Sequence, residues 1–322
     1  MTDAAVLAIE IGGTKLQWGV ARPDGSWIKT VRRAVEPALG AAGILAATEE
    51  VVSDLAQVAS FRAIGIGFGG PVDRLRGEVT TSHQIAGWDH FPLVAWCSRR
   101  WNVPTVVGND CDAAALAEAR GGAGKGSSSV LFVTVGSGIG GGLVLAGELV
   151  GQARPAVAEV GHLRLGLEAR DARETVESVA SGWGIARRVQ ALLANPPAMA
   201  PRADRDDLLG RCGGRVADLT GRMVAEAAAE GNRLAGRVIT GAVQALGWAI
   251  AQVITITAVE VVVIGGGVSQ MPDRLFWNPL KTAVEHYVFP PLRGSYSIRK
   301  AVFGDRVVLE GARLLAQSIV VH

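Results

Sequence analysis

Three apolar runs in this chain stop at clusters of glycine: "EIGGTK" at 10–15, "VGSGIGGG" at 135–142 and "IGGGVS" at 264–269. Each run reads as a strand feeding a tight backbone turn. Glycine at a strand end lets backbone N–H groups face a ligand with no side chain in the way. Successive N–H groups then form a nest that suits phosphates. Thr14, Lys15 and Ser137 add donors beside these turns. One such turn is compatible with packing alone; three point to a nucleotide held between hairpins. None of them fits the P-loop spacing. "GSGIGG" has the letters of the dinucleotide fingerprint, but "GLVLAGELV" behind it reads as strand and turn, where that fingerprint requires a helix. The residues expected on the phosphate side are Gly12, Gly13, Thr14, Lys15, Gly136, Ser137, Gly138, Gly265 and Gly266.

The segments between these turns alternate in period. "LQWGVAR" and "SWIKTVRR" flank Asp24-Gly25, a hairpin signal. Residues 41–59 carry apolar residues at helical spacing, "FRAIGIGF" is a further strand, and "VPTVVGND" is a strand ending at Asn109 and Asp110, with a helical pattern behind it. The same form recurs after residue 128: a glycine-turn hairpin, helical patterns around 174–194 and 216–250, then the strand "VEVVVIGGG". The chain is therefore α/β, and its two halves repeat in form but not in letters. Residues 195–207, rich in Pro and charge, read as a surface loop.

Composition excludes several classes. Only 19% of the 322 residues are charged and 49% are hydrophobic, which favours a large packed core over disorder. With 32 basic and 30 acidic residues, the net charge of +2 gives no general drive toward nucleic acid or an anionic membrane. Cys97, Cys111 and Cys212 are isolated, so neither a disulfide framework nor a cysteine zinc site is expected. No basic-then-apolar leader opens the sequence, and a cytoplasmic protein is the expectation. Residues 238–259 carry no charge over about the length of a bilayer span. Polar interruptions at Thr240, Gln244, Gln252, Thr255 and Thr257 favour a buried helix running into a buried strand.

The motifs "IEIGGTK", "GIGFGGPVD", "GNDCDAAALAEA", "VTVGSGIGGG", "EVGH", "ESVASG" and "VVVIGGGVS" occur in the order seen in the ROK family of bacterial sugar kinases and related repressors, which this chain resembles from about residue 6 to residue 315. The resemblance implies the actin-like ATPase fold, two ribonuclease-H-like halves around a cleft. The expected division is 1–116 plus 305–322 for the half with the catalytic base, and 117–304 for the half with the nucleotide and sugar-contact motifs. It also implies ATP as phosphoryl donor, Mg²⁺, a sugar substrate and a homodimer.

The resemblance assigns roles to single residues. Asp110 of "GND" stands where the family has the general base that takes a proton from the attacking hydroxyl. By itself it would read as an Asx turn or helix cap. Asn109, Glu159, His162 and Glu177 match residues that contact sugar hydroxyls, and Gly70 lies in the sugar-side segment "GGPVD". Glu10 stands where the family usually has Asp, with the implied role of holding Mg²⁺ through water. Most members carry a cysteine cluster between "E-x-G-H" and "E-x-x-x-S-G" that binds zinc. Here that interval has no cysteine, so no structural zinc is expected, and Arg and Glu pairs are expected to hold the loop. His83, near the place of a family Asn, reads as a surface or turn residue.

Two other functions compete with an ATP-dependent hexose kinase. A sugar-sensing regulator of the same family would carry an N-terminal DNA-binding domain, but the first strand is expected near Val6 and no basic recognition helix is visible. A sugar-binding protein without kinase activity would have no use for Asp110 and three glycine turns.

Overall fold

The computed structural model describes residues 5–82, 84–151, 154, 156–196 and 201–320. His83 lies outside the described residues. The chain divides into two compact units: Met1–Val130 with Gly142–Val157 and Val302–His322, and Leu131–Gly141 with Ala158–Ala301.

In the first unit a five-stranded sheet has the order β3-β2-β1-β4-β7. Its strands are β1 (Ala5–Ile11), β2 (Lys15–Ala21), β3 (Trp27–Ala34), β4 (Phe61–Phe68) and β7 (Thr105–Asn109). A small hairpin of β5 (Val72–Asp73) and β6 (Glu78–Val79) follows β4. β1 is buried along its whole length, as a central strand covered on both faces should be. It pairs antiparallel with β2 and parallel with β4, and β4 pairs parallel with β7. That register places Glu10 beside Gln17 on one side and Gly67 on the other.

The helices of this unit are α1 (Gly40–Val58), α2 (Leu93–Trp101), α3 (Asp110–Gly121) and, from the far end of the sequence, α10 (Val307–Ser318). Trp18, Phe68 and Trp88 fill the core, with Phe68 and Trp88 edge to face at 5.1 Å. α10 packs against α3 so closely that a methyl group on Gly311 would lie 1.8 Å from the carbonyl oxygen of Ala113.

The second sheet has the order β10-β9-β8-β11-β12, with β8 (Ser129–Val135), β9 (Ile139–Leu145), β10 (Glu148–Leu149), β11 (Val261–Gly265) and β12 (Ser297–Lys300). The second unit adds α4 (Val176–Ala180), α5 (Gly182–Ala194), α6 (Arg202–Arg211), α7 (Gly221–Ala229), α8 (Arg233–Thr257) and α9 (Trp277–Tyr287). By length and composition α8 could cross a membrane. Twelve of its residues are buried inside this unit, from Leu234 to Ile254, and β11 follows at once. The uncharged stretch is core helix followed by core strand.

The segment read as a loop over 195–207 is helical from Arg202. Pro201 stands at the N-cap, Arg211 pairs with Asp207 at 3.0 Å, and Leu208 is fully buried. The charge density that suggested a loop is the solvent face of a short helix. The helical pattern over 174–194 is two helices, broken where Ser181 caps the N-terminus of α5.

Glu118 on α3 is fully buried. Its carboxylate accepts N–H bonds from Ala123 and Val302 at 2.8 Å and from Phe303 at 3.1 Å, tying α3 to the segment that enters α10. Glu118→Ala removes the acceptor shared by three backbone N–H groups, each such loss costing about 1–3 kcal/mol when buried. The expected loss is about 3–5 kcal/mol of unfolding free energy, read from urea unfolding. A loss below about 1 kcal/mol would show that water replaces the carboxylate.

Candidate active site

Asn109 ends β7 and caps α3. Its Oδ1 accepts from the N–H groups of Cys111 at 2.8 Å and Asp112 at 3.4 Å, while its Nδ2 donates to the Gly70 carbonyl at 3.0 Å. The cap is Asn109 rather than Asp110, which begins the first helical turn. Asp110 Oδ1 shares the Cys111 N–H at 2.8 Å. Its Oδ2 lies 3.4 Å from where a methyl group on Gly69 would sit, and that methyl would be 3.3 Å from Gly12 Cα. Asp110, the 69–70 turn and the first glycine turn therefore converge within the first unit. Burial pushes the Asp110 carboxyl above its ordinary range, opposed by the bonds from Cys111.

The first glycine turn is closed by Gly12 N–H donating to the Lys15 carbonyl at 3.0 Å. Glu10 behind it is buried, and both its oxygens are engaged. Oε1 meets Lys15 Nζ at 2.9 Å, and Oε2 accepts from Gln17 Nε2 at 2.9 Å. Burial raises the Glu10 carboxyl, Lys15 opposes it, and the neighbouring charge of Asp110 adds to the rise. Thr14 is exposed, and its carbonyl accepts from Val35 N–H at 3.1 Å. Gln84, from the segment around His83, overhangs this turn: a methyl group on Gly13 would lie 1.5 Å from its Oε1.

In the second unit, Gly136, Ser137 and Gly138 form the turn between β8 and β9. Gly136 N–H donates to the Gly138 carbonyl at 2.9 Å, and the Gly136 carbonyl accepts from Gly182 N–H, at the start of α5, at 2.8 Å. Gly266 has φ of +89°, and a methyl there would strike the Val135 carbonyl oxygen at 2.4 Å, so the third turn needs glycine at this position. A cavity of about 870 Å³ opens here, lined by Gly136, Ser137, Gly182, Thr220, Gly221 and Gly267 among others. Gly265 and Gly266 do not line it; Gly267 does. The starts of α5 and α7 were not anticipated. Their signal is a capping residue before glycine, Ser181-Gly182 and Thr220-Gly221.

Glu159 and His162 are exposed on one short 3₁₀ turn, where His162 N–H donates to the Glu159 carbonyl at 3.0 Å. Glu177, on α4, does something the motif did not suggest: its Oε2 accepts the Ile139 N–H at 2.7 Å. A methyl on Gly161 would meet the Ile139 carbonyl oxygen at 2.2 Å. Ile139, at the exit of the glycine turn, thus contacts both segments of this motif pair.

The interval between them is held by arginine and aspartate, not arginine and glutamate. Arg164 Nη1 donates to the carbonyls of Asp171 at 2.8 Å and Ala169 at 3.4 Å, Arg173 pairs with Asp171 at 2.6 Å, and Thr175 caps α4. Among the described residues no group of three or more His, Cys, Asp or Glu could hold a metal ion. At Glu10 each carboxylate oxygen accepts one bond from the protein, from an ammonium and from an amide. Direct Mg²⁺ coordination would therefore displace or crowd the ammonium, while a contact through a metal-bound water needs only a remaining lone pair.

The sequence pattern of one family spans nearly all of this chain, matching residues 6–319. The chain belongs to the ROK family. Its relatives include the glucokinase of Thermotoga maritima, 28% identical over 99% of both chains. The N-acetylmannosamine kinase of Shigella flexneri is 30% identical over 97% of this chain and 98% of its own. Among solved structures, the ROK family glucokinase of Streptomyces griseus in complex with glucose and AMPPNP is 30% identical, covering 98% of this chain and all of that one, with a TM-score of 0.79. The fold is the actin-like ATPase fold.

Asn109→Ala removes the α3 cap and leaves the Gly70 carbonyl without its donor. The expected cost is about 1–2 kcal/mol of stability, measured by thermal unfolding. An unchanged melting temperature would mean that Asp110 can cap the helix alone.

Proposed function

We propose that this ROK-family chain is an ATP-dependent sugar kinase that phosphorylates the 6-hydroxyl of a hexose or hexose derivative. The observation that carries this reading is Asp110. It is fixed in the first turn of α3 by Asn109 and Cys111, it lies beside the first glycine turn, and burial raises its carboxyl.

A sugar hydroxyl is a weak nucleophile, and a positioned carboxylate can accept its proton as the bond to phosphorus forms. A raised carboxyl pKa makes Asp110 a better proton acceptor than a surface aspartate. The phosphoryl group itself needs positioning and charge stabilisation more than covalent help. In this reading the N–H groups of Ser137 and Gly138 and the Ser137 hydroxyl take the phosphates, beside the cavity that Gly136 and Ser137 line with the starts of α5 and α7, while the Gly136 N–H closes the turn on the Gly138 carbonyl. Lys15, with Gly13 and Thr14, supplies donors and positive charge at the first turn, which Gly12 closes through its bond to the Lys15 carbonyl.

Glu159 and His162 are the sugar contacts proposed in the second unit, and Asn109 and Gly70 those in the first. A carboxylate accepts from neighbouring hydroxyls, and an imidazole both donates and accepts. Glu177 joins these as a contact through its remaining oxygen while its Oε2 holds Ile139. Named activities among the relatives, on glucose and on N-acetylmannosamine, support the hexose class for the substrate.

Asp110→Asn removes the proton acceptor and keeps the shape. Turnover should fall about 10²–10⁴-fold, with sugar affinity retained in calorimetry; turnover within tenfold of the parent would refute the assignment. The pH profile gives a second test. Only the deprotonated base works, so kcat/KM should fall as pH drops through the raised pKa of Asp110. The acid limb is therefore expected above the ordinary aspartate value of about 3.9. A limb at or below that value would contradict the role.

A further inference from the structure

Four hydrogen-bonding partners close a ring behind the first glycine turn. Glu10 Oε1 meets Lys15 Nζ at 2.9 Å, Lys15 Nζ donates to the Asp305 carbonyl at 2.7 Å, Gln17 Nε2 donates to that same carbonyl at 2.8 Å, and Gln17 Nε2 returns to Glu10 Oε2 at 2.9 Å. All four residues belong to the first unit. Glu10 and Gln17 are 4% and 5% exposed, so water competes little for these bonds.

The donor arithmetic is tight. An amide nitrogen has two hydrogens, and Gln17 spends both inside the ring. An ammonium has three, and Lys15 spends two. One Lys15 N–H is left over. Each Glu10 oxygen already accepts one strong bond, and one of those partners carries a full positive charge. A divalent cation bound at Glu10 would have to expel that ammonium or sit against it.

We propose that the Lys15 ammonium is the resident cation of the first glycine turn, occupying the place at Glu10 that a metal would take. Glu10 is then a positioning residue. It holds Lys15 at the turn with a single N–H to offer, and it does not bind free Mg²⁺. The glutamate matters because it is one methylene longer than aspartate. It spans the distance from β1 to a lysine and a glutamine on β2 at once, Gln17 being its cross-strand neighbour. The inference deepens the kinase reading and rests on it for the anion that Lys15 would meet.

The experiment is a Mn²⁺ titration followed by the electron paramagnetic resonance signal of the free ion, on the full chain without sugar or nucleotide. Kinase activity is absent from it, so failure here and failure of the kinase reading are read apart. The parent protein and Glu10→Gln should bind Mn²⁺ with indistinguishable affinity, because Glu10 is no ligand. Lys15→Met leaves a buried carboxylate without its counter-charge, and its affinity should rise about tenfold or more, since a unit charge about 4 Å away no longer repels the ion. That gain should vanish in the Lys15→Met, Glu10→Gln double variant. A clear loss of Mn²⁺ affinity in Glu10→Gln alone would overturn the proposal, and so would a folded Lys15→Met that gains nothing. Should Lys15→Met fail to fold, the comparison of the parent with Glu10→Gln still decides whether Glu10 is a ligand.

Discussion

The junction between β7 and α3 turns on the side chain of Asn109. With one oxygen it satisfies the first free N–H groups of α3, and with its nitrogen it holds the Gly70 carbonyl. A helix start leaves unsatisfied donors that must be met by something. Here the group that meets them also fixes the turn after β4 and the aspartate that follows. The backbone at Asp110 is therefore set by helix capping, a local and inexpensive constraint. The carboxylate inherits that position beside Gly69 and Gly12. Asn109 had been expected as a sugar contact; its polar atoms have structural work first.

The glycine turns act in a comparable way. Each does more than bare its N–H groups. The Gly136 carbonyl is the acceptor for the first N–H of α5, and Gly266 lies against the Val135 carbonyl with a backbone no larger residue adopts easily. Glu177 then locks the exit of the 136–138 turn through Ile139. Because Gly161 of the Glu159–His162 segment packs on the same residue, the proposed phosphate turn and the proposed sugar-contact segment share one neighbour. A shift at either is felt at Ile139.

Much of this was legible because it is local. Apolar runs ending in glycine identify strand ends, and the pattern behind Asp110 identifies a helix start. What escaped was long-range or depended on side-chain reach. Asp305 is nearly the whole chain away from Lys15, and no spacing rule links them, so the ring around Glu10 could not be read. The start of α6 was hidden by charges that looked like a loop and are one exposed helix face. Arginine and glutamate pairs were expected to hold the 163–176 interval, without saying which; that Arg164 and Arg173 do so, with Asp171 and backbone carbonyls as acceptors, became visible only in three dimensions. Glu177 was found by its motif and given a contact to sugar; its bond to a backbone N–H needed the packing of α4 on β9.

The central claim is that the chain transfers a phosphoryl group from ATP to a hexose. Phosphorus-31 magnetic resonance tests it most directly, with ATP, Mg²⁺ and, one at a time, glucose, mannose, fructose and their N-acetyl derivatives. The account predicts a sugar phosphate monoester and ADP in equal amounts for at least one hexose, with little change in ATP when sugar is left out. Release of inorganic phosphate at the same rate with and without sugar, or intact ATP across the whole panel, would contradict it.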